Sequence, residues 1–205
     1  MADQDNADQD SSVAARKAEL RSEAVARRDA LPPAKRRIAA EAIAARGLPE
    51  DLAAAAGADA TVSGYTPLKS EINPLPLMRL LADNGAALAL PVVVGRGQPL
   101  VMRAWSFHAP LKAGVWGISE PLDDADEVFP DMLIVPLLAF DRHGRRIGYG
   151  AGYYDITIAQ LRGMKPVVAI GIAFAAQEVE SVPVTARDAR LDLVLTEREI
   201  IDFRT

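Results

Sequence analysis

The feature that most constrains this chain is a set of three short apolar runs, residues 132–138, 167–174 and 191–195, each bounded by Gly, Pro or charged residues. Their length and lack of polar alternation read as strands buried on both faces. A helical stretch over about 154–162 separates the first two. Strand, helix, strand in that order is a βαβ unit, which demands a parallel sheet with helices over its faces. Two further apolar runs, 86–94 and 100–105, read as strands joined through Gly95, Arg96 and Gly97.

The first third reads differently. Residues 13–30 mix Ala and Leu with Lys17, Arg21, Arg27 and Arg28, a helix-forming composition that stops at Pro32 and Pro33. A second helix is expected over 34–46, ended by Gly47, and a third from Pro74 to Asn84 and Gly85, with Leu77, Leu80 and Leu81 as its apolar face. The alanine-rich stretch 52–62 admits a third short helix or a helix end running into a strand. Thr196 and Glu199 have capping-box spacing and would open one last short helix. Residues 1–12 are acidic and aperiodic, so they read as a disordered tail before one α/β domain over 13–205. The fold class expected is α/β: a three-layer sandwich with a mainly parallel, mixed, Rossmann-like sheet flanked by helices.

With 205 residues, half of them hydrophobic, the chain is long enough for a substantial core. A net charge of −5 leaves no overall positive field for nucleic acid or an anionic membrane, though a local basic patch for a small anion stays open. The absence of Cys excludes disulfides, thiolate metal sites and a Cys nucleophile. No apolar run approaches the roughly 18 residues of a membrane span, and the N-terminus lacks the basic-then-apolar order of a signal peptide. The expectation is a soluble cytoplasmic protein, monomer or small homo-oligomer, that acts on small molecules.

Chemistry concentrates after the first buried strand, in Asp-Arg-His-Gly-Arg-Arg-Ile-Gly-Tyr-Gly-Ala-Gly-Tyr-Tyr-Asp, ending at Asp155. This is the carboxyl edge of an open sheet, where ligands bind. Gly148, Gly150 and Gly152 alternate, which lets the backbone turn its N–H groups toward one point, and the following helix adds its own free N–H groups. Arg145 and Arg146 would supply charge for a polyphosphate, and Asp155 would hold a Mg²⁺ bridging phosphate oxygens. The loop is neither a P-loop nor a dinucleotide fingerprint, and glycine-rich turns beside strands are also ordinary tight connections. Both readings stand on spacing alone.

Lys17 and Arg21 share a helix face, as a solvated stripe or as anion ligands. Glu71 is either a surface acid or a recogniser of a substrate amino group. Tyr153 and Tyr154 fit core packing or a stack on a planar ligand. Asp188 and Asp192 share a strand face, where solvent exposure competes with help to a metal. His108 and His143 are the only histidines, and they form neither a zinc pair nor a catalytic triad.

The run from Val135 to Asp155 closely resembles the signature of the 5-formyltetrahydrofolate cyclo-ligase family, also called methenyltetrahydrofolate synthetase. Family-like features also appear in order at Lys17 to Arg21, Ser70-Glu71-Ile72-Asn73, Leu90-Pro91, Gly114 to Pro121, Ala176-Gln177 and Asp188 to Glu197. The resemblance implies an ATP- and Mg²⁺-dependent ligase that converts 5-formyltetrahydrofolate to 5,10-methenyltetrahydrofolate, releasing ADP and phosphate through an iminium phosphate. It implies ATP binding by Lys17, Ala18, Glu19, Leu20 and Arg21 and by Arg146, Ile147, Gly148, Tyr149, Gly150, Ala151, Gly152, Tyr153 and Tyr154. Arg146, Tyr153 and Asp155 would be catalytic, Glu71, Met102, Trp116 and Tyr153 would bind the folate, and Asp155 and Asp192 would hold Mg²⁺.

The sequence departs from the family pattern at Ala151, where Gly or Lys is usual, at Ile156, where Arg is common, and at Arg187, where His is common. Asn73-Pro74 replaces a more frequent Asp-Thr. These departures keep a second reading open, a nucleotide-binding relative without formylfolate turnover. A third, a sugar-phosphate or CoA enzyme on a similar sheet, accounts less well for Glu71, Trp116 and Tyr153.

Overall fold

Among the described residues, alternating apolar runs and alanine-rich segments resolve into sixteen α-helices and strands, in the order α1 (Ala2–Asp29), α2 (Pro33–Arg46), α3 (Glu50–Ala55), β1 (Thr61–Ser63), α4 (Leu75–Asp83), β2 (Ala87–Val92), β3 (Val101–Trp105), β4 (Leu111–Ala113), β5 (Ser119–Pro121), β6 (Met132–Pro136), β7 (Ala139–Phe140), β8 (Arg146–Ile147), α5 (Tyr153–Met164), β9 (Val168–Ile172), β10 (Leu193–Leu195) and β11 (Ile200–Asp202). The computed structural model describes residues 2–57 and 59–204, with side chains from Ser12 onward. The side chains of residues 1–11 thus fall outside the described residues, while the backbone from Ala2 is helical as the first turns of α1, where a disordered tail over 1–12 is expected.

Seven strands form one sheet in the order β11-β10-β9-β6-β1-β2-β3. The five inner strands pair in parallel, and the two edges, β11 and β3, run antiparallel to their neighbours. The expected mixed, mainly parallel sheet is thus the observed one. Its inner strands are nearly continuous in buried residues: Met132, Leu133, Ile134 and Val135 of β6 are each at most 2% exposed. That pattern requires cover on both faces. On one face Ala40, Ile43, Leu52, Leu77 and Met78 of α2, α3 and α4 pack against Val62, Ile134 and Ile170. On the other, Ile158 and Leu161 of α5 pack against Leu133, Val135, Ala169 and Val194.

The order of connections decides where a ligand fits. From β1 the chain passes through α4 to β2, moving one way across the sheet; from β6 it passes through α5 to β9, moving the other way. Since β1 and β6 are neighbours, their C-terminal ends bound a crevice from which the chain departs in opposite directions. Two small hairpins stand at that edge, β4–β5 and β7–β8. Helix α1 lies against the second, with Leu20 and Ala24 packed on Leu138, Ala139 and Ile147.

Most helices and strands fall where expected, although α1 begins at Ala2 rather than at residue 13. The ambiguous stretch 52–62 is both of its alternatives in turn, α3 followed by β1. The last short helix expected from Thr196 is instead strand β11. Thr196 Oγ1 does accept the backbone N–H groups of Arg198 and Glu199, at 3.2 and 3.0 Å, but its own N–H donates to the Glu199 carbonyl and closes a tight turn. The chain then returns antiparallel to β10, placing Ile201 against Val194.

Candidate active site

A cavity of about 530 Å³ opens at the β1–β6 crevice. The loop after β1 supplies Tyr65, Thr66, Leu68 and Glu71, and Pro136 marks the end of β6. The β4–β5 hairpin adds Trp116, Ser119 and Glu120, while α1 adds Lys17 and Arg21. Residues 146–155 and Asp188 complete the wall.

The glycine loop takes its shape from backbone conformations that side chains resist. Gly150 has φ +101° and Gly152 φ +74°, both in the left-handed region. Gly152 caps α5, so the free N–H groups of the helix's first turn and its positive dipole end face the loop. A Cβ on Gly150 would stand 3.3 Å from the Arg21 guanidinium carbon, and Arg21 Nε donates to the Gly148 carbonyl at 3.0 Å. Arg21 and the loop are therefore fitted to each other.

Around that loop the charges are matched. Lys17 Nζ donates to Asp188, whose carboxylate also accepts the Thr185 N–H at 2.6 Å. Burial raises the Asp188 carboxyl, but these hydrogen bonds outweigh it and hold the group below its ordinary range. Arg146, its side chain 4% exposed, donates to Asp155 at 2.7 Å and to the Ala189 carbonyl, while the Ala189 N–H returns to Asp155 at 3.0 Å. The charge of Arg146 is thus balanced inside the protein. Arg21 lines the cavity with no acidic partner among the described residues. Arg145, expected to share in phosphate binding, does not line the cavity.

Glu71 has a different setting. Its Oε2 accepts the Leu68 N–H at 2.7 Å, and burial raises its carboxyl above the ordinary glutamate value, an effect only partly offset by that bond, Arg28 and Tyr149. The loop that carries it is pinned by Tyr65, whose buried hydroxyl donates to the Ile72 carbonyl at 2.7 Å. Burial also drives the Tyr65 and Tyr154 phenols well above their usual range, so both remain neutral donors. A partly buried acceptor whose partners only partly offset its desolvation fits a ligand that brings its own N–H groups.

Aromatic surface closes the cavity. Trp116, 64% exposed and with φ +57°, stands with its ring centroid 6.1 Å from that of Tyr153. The hairpin below it is anchored by Glu120, which accepts the Val93 N–H at 3.2 Å, and by Thr66, whose hydroxyl donates to the Ser119 carbonyl at 2.9 Å.

The structure brings together Lys17, Arg21, Glu71, Trp116 and the whole of 146–155, and it separates others. Ala18 and Glu19 are exposed and Leu20 is buried against the β7–β8 hairpin, because one helix face takes only every third or fourth residue. Met102 is 3% exposed in the core, and its sulfur accepts the Ser63 hydroxyl at 3.1 Å behind the cavity wall. Asp192, expected beside Asp155 at a metal, is held elsewhere: its Oδ2 accepts Arg162 Nη2 at 2.6 Å and the Ala169 N–H at 2.7 Å, just before β10 begins, and it does not line the cavity. No group of three or more His, Cys, Asp or Glu suited to a metal occurs among the described residues. Neither histidine lines the cavity. Glu120, Thr66, Tyr65 and Arg28 were not singled out by sequence as site residues; the i, i+4, i+7, i+11 spacing from Lys17 and Arg21 through Ala24 to Arg28 is the signal that would have found the last.

Comparison with known proteins supplies a family. The model of the 5-formyltetrahydrofolate cyclo-ligase family matches residues 13–197. The chain is 32% identical over 197 residues to the 5-formyltetrahydrofolate cyclo-ligase of Mycolicibacterium smegmatis, covering 92% of this chain and 97% of the relative. It is 32% identical over 151 residues to the Escherichia coli protein of the same name, covering 70% and 81%. The solved 5,10-methenyltetrahydrofolate synthetase of Aquifex aeolicus superposes with a TM-score of 0.74 at 29% identity, covering 92% and 93% of the two chains. That of Mycoplasma pneumoniae, at 21% identity and a TM-score of 0.68, shares the fold over 88% of this chain and 98% of its own.

Proposed function

The chain belongs to the 5-formyltetrahydrofolate cyclo-ligase family, and from that premise we propose that it converts 5-formyltetrahydrofolate to 5,10-methenyltetrahydrofolate with hydrolysis of ATP to ADP and phosphate. The observation that carries this reading is a single cavity holding both a glycine loop with an unneutralised Arg21 and a partly buried acceptor, Glu71, beside aromatic surface.

The chemistry follows from the leaving group. An amide oxygen leaves poorly, so the formyl oxygen attacks the γ-phosphorus of ATP and ADP departs, giving an N5-iminium phosphate. N10 then attacks the activated carbon, loses its proton, and phosphate leaves as the methenyl bridge forms. The protein needs no side-chain nucleophile; it positions two substrates and stabilises charge on the transferring phosphoryl group. Arg21, the loop N–H groups and the start of α5 hold phosphate oxygens, with Lys17 beside them. Glu71 accepts N–H groups of the pterin, and Tyr153 and Trp116 flank its rings. Arg146 fixes Asp155.

Of the acids that line the cavity, Asp155 would hold Mg²⁺, since Asp188 is paired with Lys17, and the ion would supply neutralisation of phosphate charge. Among the described residues no helix is long and apolar enough to cross a membrane.

The test is the absorbance of 5,10-methenyltetrahydrofolate in purified protein given 5-formyltetrahydrofolate and Mg²⁺, with and without ATP. An ATP-dependent rise is expected. ATP binding without any rise would overturn the reading in favour of a nucleotide-binding relative.

A further inference from the structure

Arg28 lies 7 residues beyond Arg21 on the same face of α1 and is 1% exposed. Its Nε donates to Ser70 Oγ at 3.0 Å, and Ser70 in turn donates to Asp29. Its Nη2 donates to the Tyr149 hydroxyl at 2.6 Å, and its Cζ stands 5.6 Å from the centroid of the Tyr149 ring. Nη1 is buried without a partner among the described residues. One guanidinium therefore grips two loops at once. Ser70 directly precedes Glu71, and Tyr149 stands between Gly148 and Gly150.

A buried arginine with an unmade hydrogen bond is a costly way to fill a helix face that Leu20 and Ala24 fill with hydrocarbon. What arginine adds is a rigid planar fork that fixes the distance between the two groups it binds. Those groups belong to the two halves of the cavity.

We propose that Arg28 is a positioning residue that couples these halves: through Tyr149 it ties the glycine loop, and through Ser70 the segment carrying Glu71, so that nucleotide in one half prepares the other for the folate. This rests on the ATP-dependent reading above. Nucleotide that orders the glycine loop fixes Tyr149, hence the Arg28 fork, hence the Glu71 segment; by reciprocity folate binding tightens nucleotide to the same degree. Arg28 also opposes the burial that raises the Glu71 carboxyl. Glu71 is faced by Arg28 from α1, Tyr149 from the glycine loop, Tyr154 from α5 and Tyr65 from its own loop, with Arg36 and Arg37 of α2 and Lys69 around a neighbouring recess.

The experiment is a binding cycle. The Kd of 5-formyltetrahydrofolate is measured with and without a non-hydrolysable ATP analogue and Mg²⁺, in the wild type and in Arg28→Gln, Arg28→Lys and Tyr149→Phe. In the wild type the analogue is expected to tighten folate binding about fivefold or more, the lower end of typical couplings. Arg28→Gln and Tyr149→Phe are expected to reduce this to under about twofold. Arg28→Lys keeps a charge near Glu71 without the fork, so it should lose the coupling while keeping the acid limb of folate binding, which Arg28→Gln shifts to higher pH. A merely structural Arg28 would lower stability without separating those two readouts. Tyr149→Phe removes a hydroxyl that meets both Arg28 and Glu71, so Arg28→Lys, which leaves Tyr149 and Glu71 in place, decides whether the coupling runs through the fork even if Arg28→Gln fails to fold.

Coupling that persists in Tyr149→Phe and Arg28→Gln overturns the proposal. A wild type that binds both ligands with no coupling also overturns it and leaves the enzymatic reading intact. A wild type that binds neither ligand removes both.

Discussion

The two polar clusters of the cavity solve opposite problems. Beside the glycine loop, Lys17 is matched by Asp188 and Arg146 by Asp155, and each acid also takes a backbone N–H. The charges there are settled before any ligand arrives, and Arg21 is left as the net positive group. At Glu71 a partly buried carboxylate is held by the Leu68 N–H and the Tyr149 hydroxyl, and burial still lifts it above its ordinary range. The first cluster is preorganised for an anion, whereas the second holds an acceptor whose desolvation its own partners only partly offset and a ligand can relieve. The same cavity thus separates rigidity from appetite, and each substitution below should injure one cluster far more than the other.

The largest effect is expected from Asp155→Ala. It strands the buried Arg146 guanidinium, a loss of about 3 kcal/mol, read from urea denaturation. A midpoint equal to wild type would show that the pair is not what holds this wall. Arg21→Ala comes next: losing a charge-assisted contact worth about 2–3 kcal/mol should cost roughly a hundredfold in kcat/KM for ATP, with folate KM moved much less. Equal losses for both substrates would erase the distinction between the clusters. Glu71→Ala should do the converse, raising folate KM about tenfold and leaving ATP KM within about twofold. An unchanged folate KM removes Glu71 from the substrate wall.

The smallest effect concerns pH. Asp188 has a folded-state carboxyl below its unfolded value, so its stabilisation is present above the unfolded pKa and is lost as pH falls through the folded one. Asp188→Asn should flatten the acid end of the stability curve below the ordinary Asp range and change neutral-pH stability by about 1 kcal/mol or less. Identical acid limbs for variant and wild type would show that the Lys17 pair is not maintained in solution.

How far these features were legible in the sequence depends on whether they are local. Buried strands, the βαβ order and the helix ends follow from periodicity and from Gly and Pro, and the structure bears them out. The glycine loop was visible because left-handed turns leave a compositional mark. What sequence missed is set by register and distance. Met102 and Asp192 fall near the right strands but sit behind the wall and at another edge, since strand position alone does not say which way a loop carries a side chain. Thr196 carries a helix-start signal that tertiary pairing turns into a hairpin. Arg28 looked like one more base on a basic helix, and only the path of two distant loops gives it partners.

The ion pair between Lys17 and Asp188 joins residues 171 positions apart. A ribosome must release the whole of this span before the pair exists. Until then a nascent chain has its glycine loop but lacks the acid that steadies Lys17, so a fragment ending before residue 188 should fold much of the sheet yet hold nucleotide poorly. Vectorial synthesis therefore keeps the phosphate-handling wall incomplete until residue 188 has emerged, and contacts of such long range place its closure late in folding.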